Sequence, residues 1–406
     1  MEIINATDGY KLGHHRMYPE GTQMVYSNWT PRSNRYFPEA TEGSVVFGIQ
    51  YFVKKYLIEE FNKWFALPKE EAIKQFAYRV GNFVDLNQVG TKHIEELYDL
   101  GYLPIEIKAL PEGSICPIRV PMMTIKNTLP DFFWLTNYLE TLISCTLWLP
   151  CTSATSARLY KKRLMEHARK TGFPEEVNLG FSCHDFSMRG MAGLDAAIIS
   201  GMAHMTSFCG SETIPAIEAV EHYYNANVTE ELVAATVPAS EHSVMCAGGE
   251  DGEIETYRRL INDLYPTGII SIVSDTWDFW QVVEKFLPKL KADIMKRVGR
   301  VVIRPDSGDP VDIICGLRTN PHYHTAMKEG KYYCDFNPFM YDDENHYVEV
   351  SEGQYYGAYY MLGKIFGWNT TVNDYRYPST KVGLLYGDSI TLERQRDIYA
   401  RLENAH

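Results

Sequence analysis

The stretch Val301-Val302-Ile303-Arg304-Pro305-Asp306-Ser307-Gly308-Asp309-Pro310 decides how this chain is read. Three β-branched residues predict a buried strand. The strand delivers an arginine and an acid, then turns through Gly308 into a helix start at Pro310, where proline is favoured. Arginine's planar fork suits phosphate or pyrophosphate oxygens, and the acid can accept from ribose hydroxyls or hold a metal ion. The helix start adds backbone N–H groups for an anion. A structural ion pair at a strand end would use the same residues without a ligand.

Working outward, the pattern recurs. Short apolar or β-branched runs end near Cys183, Phe208, Val237, Val273, Ile303 and Leu385, the first five spaced by 25, 29, 36 and 30 residues. That is the length of one βα unit. Each run leads into a polar cluster: Cys183-His184-Asp185-Phe186, Cys209-Gly210-Ser211-Glu212, Pro238-Ala239-Ser240-Glu241-His242, Ser274-Asp275, Arg304 to Gly308, and Tyr386-Gly387-Asp388. A βα-barrel places its active site on such carboxyl ends of parallel strands. An open doubly wound sheet shows similar ends, but no Gly-x-Gly-x-x-Gly opens any unit. The expectation is an α/β fold with a βα-barrel over residues 151–406. Residues 317–380, rich in Tyr, Asn, Asp and Gly, read as an insertion between two barrel strands, either a lid or a surface excursion.

Residues 1–150 read as a smaller α+β domain. Gly48 to Leu57 has helical apolar spacing and continues into a charged amphipathic stretch ending near Arg79. Leu103 to Leu110 alternates apolar and polar, and Val120 to Ile125 predicts a second strand after the turn at Pro111-Glu112-Gly113, giving an antiparallel sheet.

Length and composition agree. At roughly 150 residues per domain, 406 residues allow two or three domains, and 45% hydrophobic with 22% charged residues can bury a core. Lys+Arg 39 against Asp+Glu 52 leaves −13, which repels nucleic acid and anionic membranes. An anionic substrate must therefore be held by a few well-placed basic residues. Eight scattered cysteines without a C-x-x-C pair read as reduced thiols. The amino terminus lacks the apolar core of a signal peptide, and Phe132 to Pro150 carries Asn137 and Glu140, too polar to span a bilayer. The expectation is a soluble cytoplasmic protein.

Three further groups carry chemistry. Glu241-His242-Ser243 and Ser274-Asp275 lie at neighbouring strand ends, where acids can fix a histidine's tautomer and steady its charged form for proton or phosphoryl transfer. His184-Asp185-Phe186-Ser187-Met188-Arg189-Gly190 joins a ring and a guanidinium that suit a planar heterocycle and an anion. Glu212 can accept an amide N–H, or simply complement a helix dipole.

Nine motifs in order, namely DGYK, VYSNWTPR, FGIQYFVKKYL, LPIEIKALPEG, HDFSMRG, VPASEHS, VSDTWD, IRPDSGDP and LLYGD, make the chain resemble the nicotinamide phosphoribosyltransferases of the type II phosphoribosyltransferase family. The likeness runs from about Asp8 to the carboxyl end, outside 317–380. It implies an irregular βα-barrel with a second domain built on an antiparallel sheet, and a cytoplasmic homodimer with shared active sites. It implies that nicotinamide and phosphoribosyl pyrophosphate yield nicotinamide mononucleotide in NAD salvage. On that likeness Phe186 and the partner's Tyr10 sandwich the base with Arg189 beside it. Arg304 and Arg32 bind phosphate or pyrophosphate, and Asp306, Gly387 and Asp388 line the ribose phosphate. Asp275 sits near the histidine and the Mg²⁺-bound pyrophosphate, with Asp306 a second candidate near the metal. His242 matches a histidine transiently phosphorylated by ATP.

Glu212 departs from the aspartate the family is expected to carry; a carboxylate there accepts a carboxamide N–H₂ and repels nicotinate. The end of the chain departs too. Ser389 to Leu402 predicts a helix with no strand after it, and six strand ends stand where a barrel needs eight. The family's Gly-rich phosphate loop does not follow. The barrel thus reads as incomplete at the carboxyl end, its remainder on another polypeptide, truncated or lost. The competing readings are a nicotinate phosphoribosyltransferase, disfavoured by Glu212, and a non-catalytic or split subunit needing a second polypeptide.

Overall fold

The computed structural model describes residues 2–173, 179–337 and 346–405. Two compact units emerge, the first comprising residues 1–161 and 179–235, the second 162–178 and 236–406.

The first unit contains an antiparallel sheet with Met123–Asn127 between Tyr26–Trp29 and Ile105–Ala109. Met123, Ile125 and Asn127 are buried while Thr124 and Lys126 are not, the alternation of a half-buried strand. Asn127 is satisfied there: its amide donates to Gln23 O and Leu129 O and its carbonyl accepts from Val25 N. The strand begins at Met123, not at Val120 as the pattern suggested. Val120 N–H turns back to Pro117 O, Arg119 has φ 68°, and Pro121 has no N–H for a ladder. The outer strand Tyr26–Trp29 carries no apolar alternation and escaped the sequence reading. The expected helix runs from Ile49 to Phe65 with a wider-wound stretch at Val53–Glu60, breaks before Pro68, and resumes as Lys69–Phe83. Phe52, Phe61, Trp64, Phe76, Leu97, Met122 and Leu135 form the core.

The same unit holds two short parallel strands, His184–Asp185 and Gly210–Ser211, with a parallel bridge from Gly210 to Ala235. Helices Leu194–Met205 and Ile214–Tyr224 follow the strands.

In the second unit, Val298–Arg304 lies between Thr267–Val273 and Val382–Leu384, all parallel. Ile270, Ile272, Val301, Ile303 and Val382 pack with Tyr257, Ile261, Val282, Leu290 and Ile294. The run expected to end at Val237 is no strand but two isolated parallel bridges, Ala235 to Gly210 and Ala239 to Ser271, because Pro238 cannot donate to a ladder. Within 317–380, helix Ala358–Phe366 belongs to the core through Ala358, Met361, Leu362 and Phe366. His324–Lys328, Lys331–Asp335 and Val348–Val350 form an antiparallel sheet; residues 338–345 of that stretch lie outside the described residues. The last helix is Leu392–Ala405, later than the expected Ser389, which has φ 50°. Ile398 packs there with Val311, Ile314 and Cys315. All eight cysteines are unpaired, and no described helix is long and apolar enough to cross a membrane.

Candidate active site

In the second unit the strand ends converge on Asp275, whose side chain is 4% exposed. Its Oδ2 accepts from the Asp306 backbone N–H at 2.9 Å and the Ser307 hydroxyl at 2.6 Å. Its Oδ1 lies 3.3 Å from His242 Nε2, on an imidazole 48% exposed at the start of helix His242–Cys246. Burial pushes the Asp275 carboxyl up, but the Ser307 and Asp306 donors and the His242 charge together outweigh it and hold the carboxyl below the ordinary carboxylate range. An anion so fixed favours one imidazole orientation.

Arg304 leaves its strand to donate from Nη2 to Ser240 O at 2.7 Å, while its buried Nε has no partner. A half-buried guanidinium with donor capacity left is fit to take an anion's oxygen. The loop after Val382–Leu384 closes on this group. The Tyr386 hydroxyl shares its single proton between Ser307 O and Gly308 O, at 2.6 and 3.0 Å, and Gly387 N–H donates to Pro305 O at 3.1 Å. A Cβ on Gly387 would lie 1.9 Å from Asp306 Oδ1, so only glycine permits this approach. Ser307 and Tyr386 were missed as site residues; both lie inside motifs already singled out, but neither carries a charge to draw notice.

The first unit builds a second cluster. The buried Asp185 carboxylate accepts from Ser187 N–H at 2.9 Å and the Thr213 hydroxyl at 2.7 Å. Burial tends to raise it, and the Ser187 and Thr213 hydrogen bonds prevail and hold it low. Glu212 N–H donates to Asp185 O at 3.0 Å, which sets the Glu212 side chain beside His184. The His184 ring lies 5.4 Å from that of Phe186.

The structure thus gathers His242, Asp275, Arg304, Asp306 and Gly387 in one unit, and Phe186 and Glu212 in the other. Arg32, Arg189 and Asp388 are exposed, and no hydrogen bond or ion pair ties them down among the described residues. Tyr10 is also exposed, near His14 and Lys11. No three His, Cys, Asp or Glu side chains converge as a metal cage among the described residues. Asp275 spends its oxygens on Ser307, Asp306 and His242. Asp306 therefore fits Mg²⁺ better, in the mode where one or two carboxylates and substrate phosphates share the ion.

Residues 181–406 match the family model described as the nicotinate phosphoribosyltransferase (NAPRTase) family, and residues 2–107 that of the nicotinamide phosphoribosyltransferase N-terminal domain. The chain is 45% identical to nicotinamide phosphoribosyltransferase of Acinetobacter baylyi, over 98% of this chain and 75% of that one. It is 32% identical to nicotinamide phosphoribosyltransferase of Mycoplasma pneumoniae, over 99% and 82%. The crystal structure of human nicotinic acid phosphoribosyltransferase superposes with a TM-score of 0.50 at 16% identity, covering 75% of this chain and 62% of that one; that likeness shows the fold alone.

Proposed function

Since the chain belongs to the nicotinate phosphoribosyltransferase family and carries the amino-terminal domain of the nicotinamide phosphoribosyltransferases, we propose that it joins nicotinamide to phosphoribosyl pyrophosphate, forming nicotinamide mononucleotide and pyrophosphate in NAD salvage. The carrying observation is a carboxylate, Glu212, set beside the His184–Phe186 ring pair. The rings suit a planar base and the carboxylate suits its amide N–H₂.

Pyrophosphate leaves C1 of the ribose through an oxocarbenium-like state, which asks for alignment and charge neutralisation, not a protein nucleophile. In this reading Phe186, Arg189 and Glu212 hold the base, with Tyr10 of a second copy completing the clamp of a homodimer. Arg304 and Arg32 take phosphate oxygens, and Asp306 and Asp388 line the ribose phosphate, with Gly387 giving Asp306 its room. Asp306 is the carboxylate that would hold Mg²⁺ arriving with the pyrophosphate, and the ion would supply neutralisation of the leaving charge. The barrel form of residues 151–406, the 1–150 division and a cytoplasmic setting belong to this proposal; eight unpaired thiols are in keeping with the last.

ATP coupling through His242 is part of the same reading. With Nε2–H directed at Asp275, the lone pair is on Nδ1. Nδ1 attacks the γ-phosphorus of ATP and ADP leaves; water later cleaves the N–P bond and releases phosphate.

The test is base choice. A nicotinate carboxylate about 4 Å from Glu212, at an effective dielectric near 20, is disfavoured by about 4 kcal/mol before relaxation, roughly a thousandfold. Nicotinamide mononucleotide should form from purified protein and phosphoribosyl pyrophosphate, with kcat/KM for nicotinate lower by two or more decades. Comparable values for the two bases would overturn the assignment.

A further inference from the structure

Beyond the ring it sets beside Phe186, His184 has no part in the reaction described so far, yet its surroundings are built around that ring. The residue opens the parallel pair with Gly210. A Cβ on Gly210 would come within 2.4 Å of His184 Nδ1 and 2.9 Å of its Cε1, so the bare glycine is what lets the ring lie against the neighbouring strand. Phe186 covers it from another side, with centroids 5.4 Å apart and the planes inclined by 32°. The side chain is only 11% exposed. Held in this way, the ring directs Nε2 to Glu212 Oε1 at 3.4 Å.

Glu212 has the opposite character. Its side chain is 35% exposed, and its carboxylate hangs from three rotatable bonds. An unanchored glutamate would spread its charge over several rotamers and lose freedom on meeting a ligand. An anchor on the carboxylate keeps its charge in one place, the condition under which it separates a neutral base from an anionic one.

We propose that His184 is a positioning residue for base choice: lying against the Glu212 carboxylate, it fixes where that acid meets the carboxamide of the base and keeps the negative charge where it excludes a carboxylate. The inference rests on the reading of Glu212 as the base-recognising acid. Glu212, Asp185 and His204 are among the groups that act on the imidazole. Burial holds His184 below the ordinary histidine range, against the upward pull of Glu212 and Asp185; His204, itself kept low by burial, adds no competing cation. A neutral ring beside an intact carboxylate is the state that serves this purpose, because a protonated ring would cancel the excluding charge.

The experiment measures kcat and KM for nicotinamide and nicotinate in full-length wild type, H184L, H184Q, E212Q and the E212Q/H184L double variant. A hydrogen bond to a charged group sets the scale. H184L is expected to raise KM for nicotinamide about tenfold with kcat within about twofold, and to lower the nicotinamide-to-nicotinate ratio of kcat/KM by about tenfold. H184Q, which keeps a side-chain N–H donor, should restore most of that ratio. In the E212Q background the leucine should change the ratio no further, as a pair acting through one contact requires. Should H184L fail to fold, H184N, too short to reach Glu212, is expected to lower the ratio in its place.

A wild-type ratio in H184L or H184N while E212Q loses discrimination would overturn the role of His184 alone. So would a loss of equal size in the E212Q background, which would mark His184 as packing only. An E212Q protein that still discriminates as wild type would overturn the base-pocket reading, and this inference with it.

Discussion

His242 Nε2 lies 3.3 Å from Asp275 Oδ1, and the other oxygen of that carboxylate is held by Ser307 and the Asp306 N–H. One buried acid thus ties the exposed histidine to the loop that carries Asp306. Phosphorylation is expected on His242 Nδ1, the nitrogen turned away from Asp275. Phosphorus NMR of the ATP-treated protein distinguishes the two isomers, and a signal from the Nε2 isomer would reverse the assignment. In H242A the ratio of rates with and without ATP should fall to one.

The Asp275 network also predicts a pH profile. Its folded carboxyl titrates below the unfolded one, so its stabilisation is fully present above the unfolded value of about 4 and is lost as pH falls through the lower folded value. D275N should be less stable than wild type by about 1–3 kcal/mol at neutral pH. That gap, followed by urea unfolding, should close only below about pH 4.

Glu253 predicts the opposite slope. It is fully buried, neither carboxylate oxygen has a hydrogen-bond partner, and burial, with Asp278 and Glu250 nearby, pushes it up to about 7. The folded state keeps the proton that the unfolded chain releases near pH 4, so stability falls as pH rises from about 4 to 7. In E253Q that fall should be absent. Its advantage over wild type should grow across this range by on the order of 1–3 kcal/mol and then level off. Parallel curves for the two proteins would refute the buried neutral acid.

Gly387→Ala forces a Cβ to within 1.9 Å of Asp306 Oδ1. The loop or the carboxylate must shift, at about 1–3 kcal/mol. KM for phosphoribosyl pyrophosphate should rise by an order of magnitude or more, while KM for nicotinamide stays close to wild type. An unchanged profile would remove Asp306 from the phosphate site.

Phe186→Ala should raise KM for nicotinamide. Stacking of about 0.5–1.5 kcal/mol beyond area burial corresponds to roughly two- to tenfold, and kcat should change less. A wild-type KM would show that the ring is not a face of the base site.

Much of this protein was legible along the chain because the signals were local. The βα spacing marked five strand ends: Asp185, Ser211, Val273, Arg304 and Leu384 lie within three residues of the runs read at Cys183, Phe208, Val273, Ile303 and Leu385. The charged candidates His242, Asp275, Arg304 and Asp306 were found for the same reason, since each lies in a short polar cluster that closes an apolar run. The run read at Val237 failed on a local rule given too little weight, Pro238 leaving two bridges where a strand was expected.

The sequence by itself determined the parallel α/β repeat and the residue types offered at its strand ends, because hydrophobic periodicity and turn chemistry act between near neighbours. Tertiary structure alone decided how those residues divide their hydrogen bonds. Asp275 meets Ser307 across 32 positions, Gly387 makes room for Asp306, His184 reaches Glu212 past a bare Gly210, and Ala358–Phe366 joins the core from a stretch that reads as an insertion. Such contacts depend on which strands pair and how closely two backbones approach, and no local pattern encodes either.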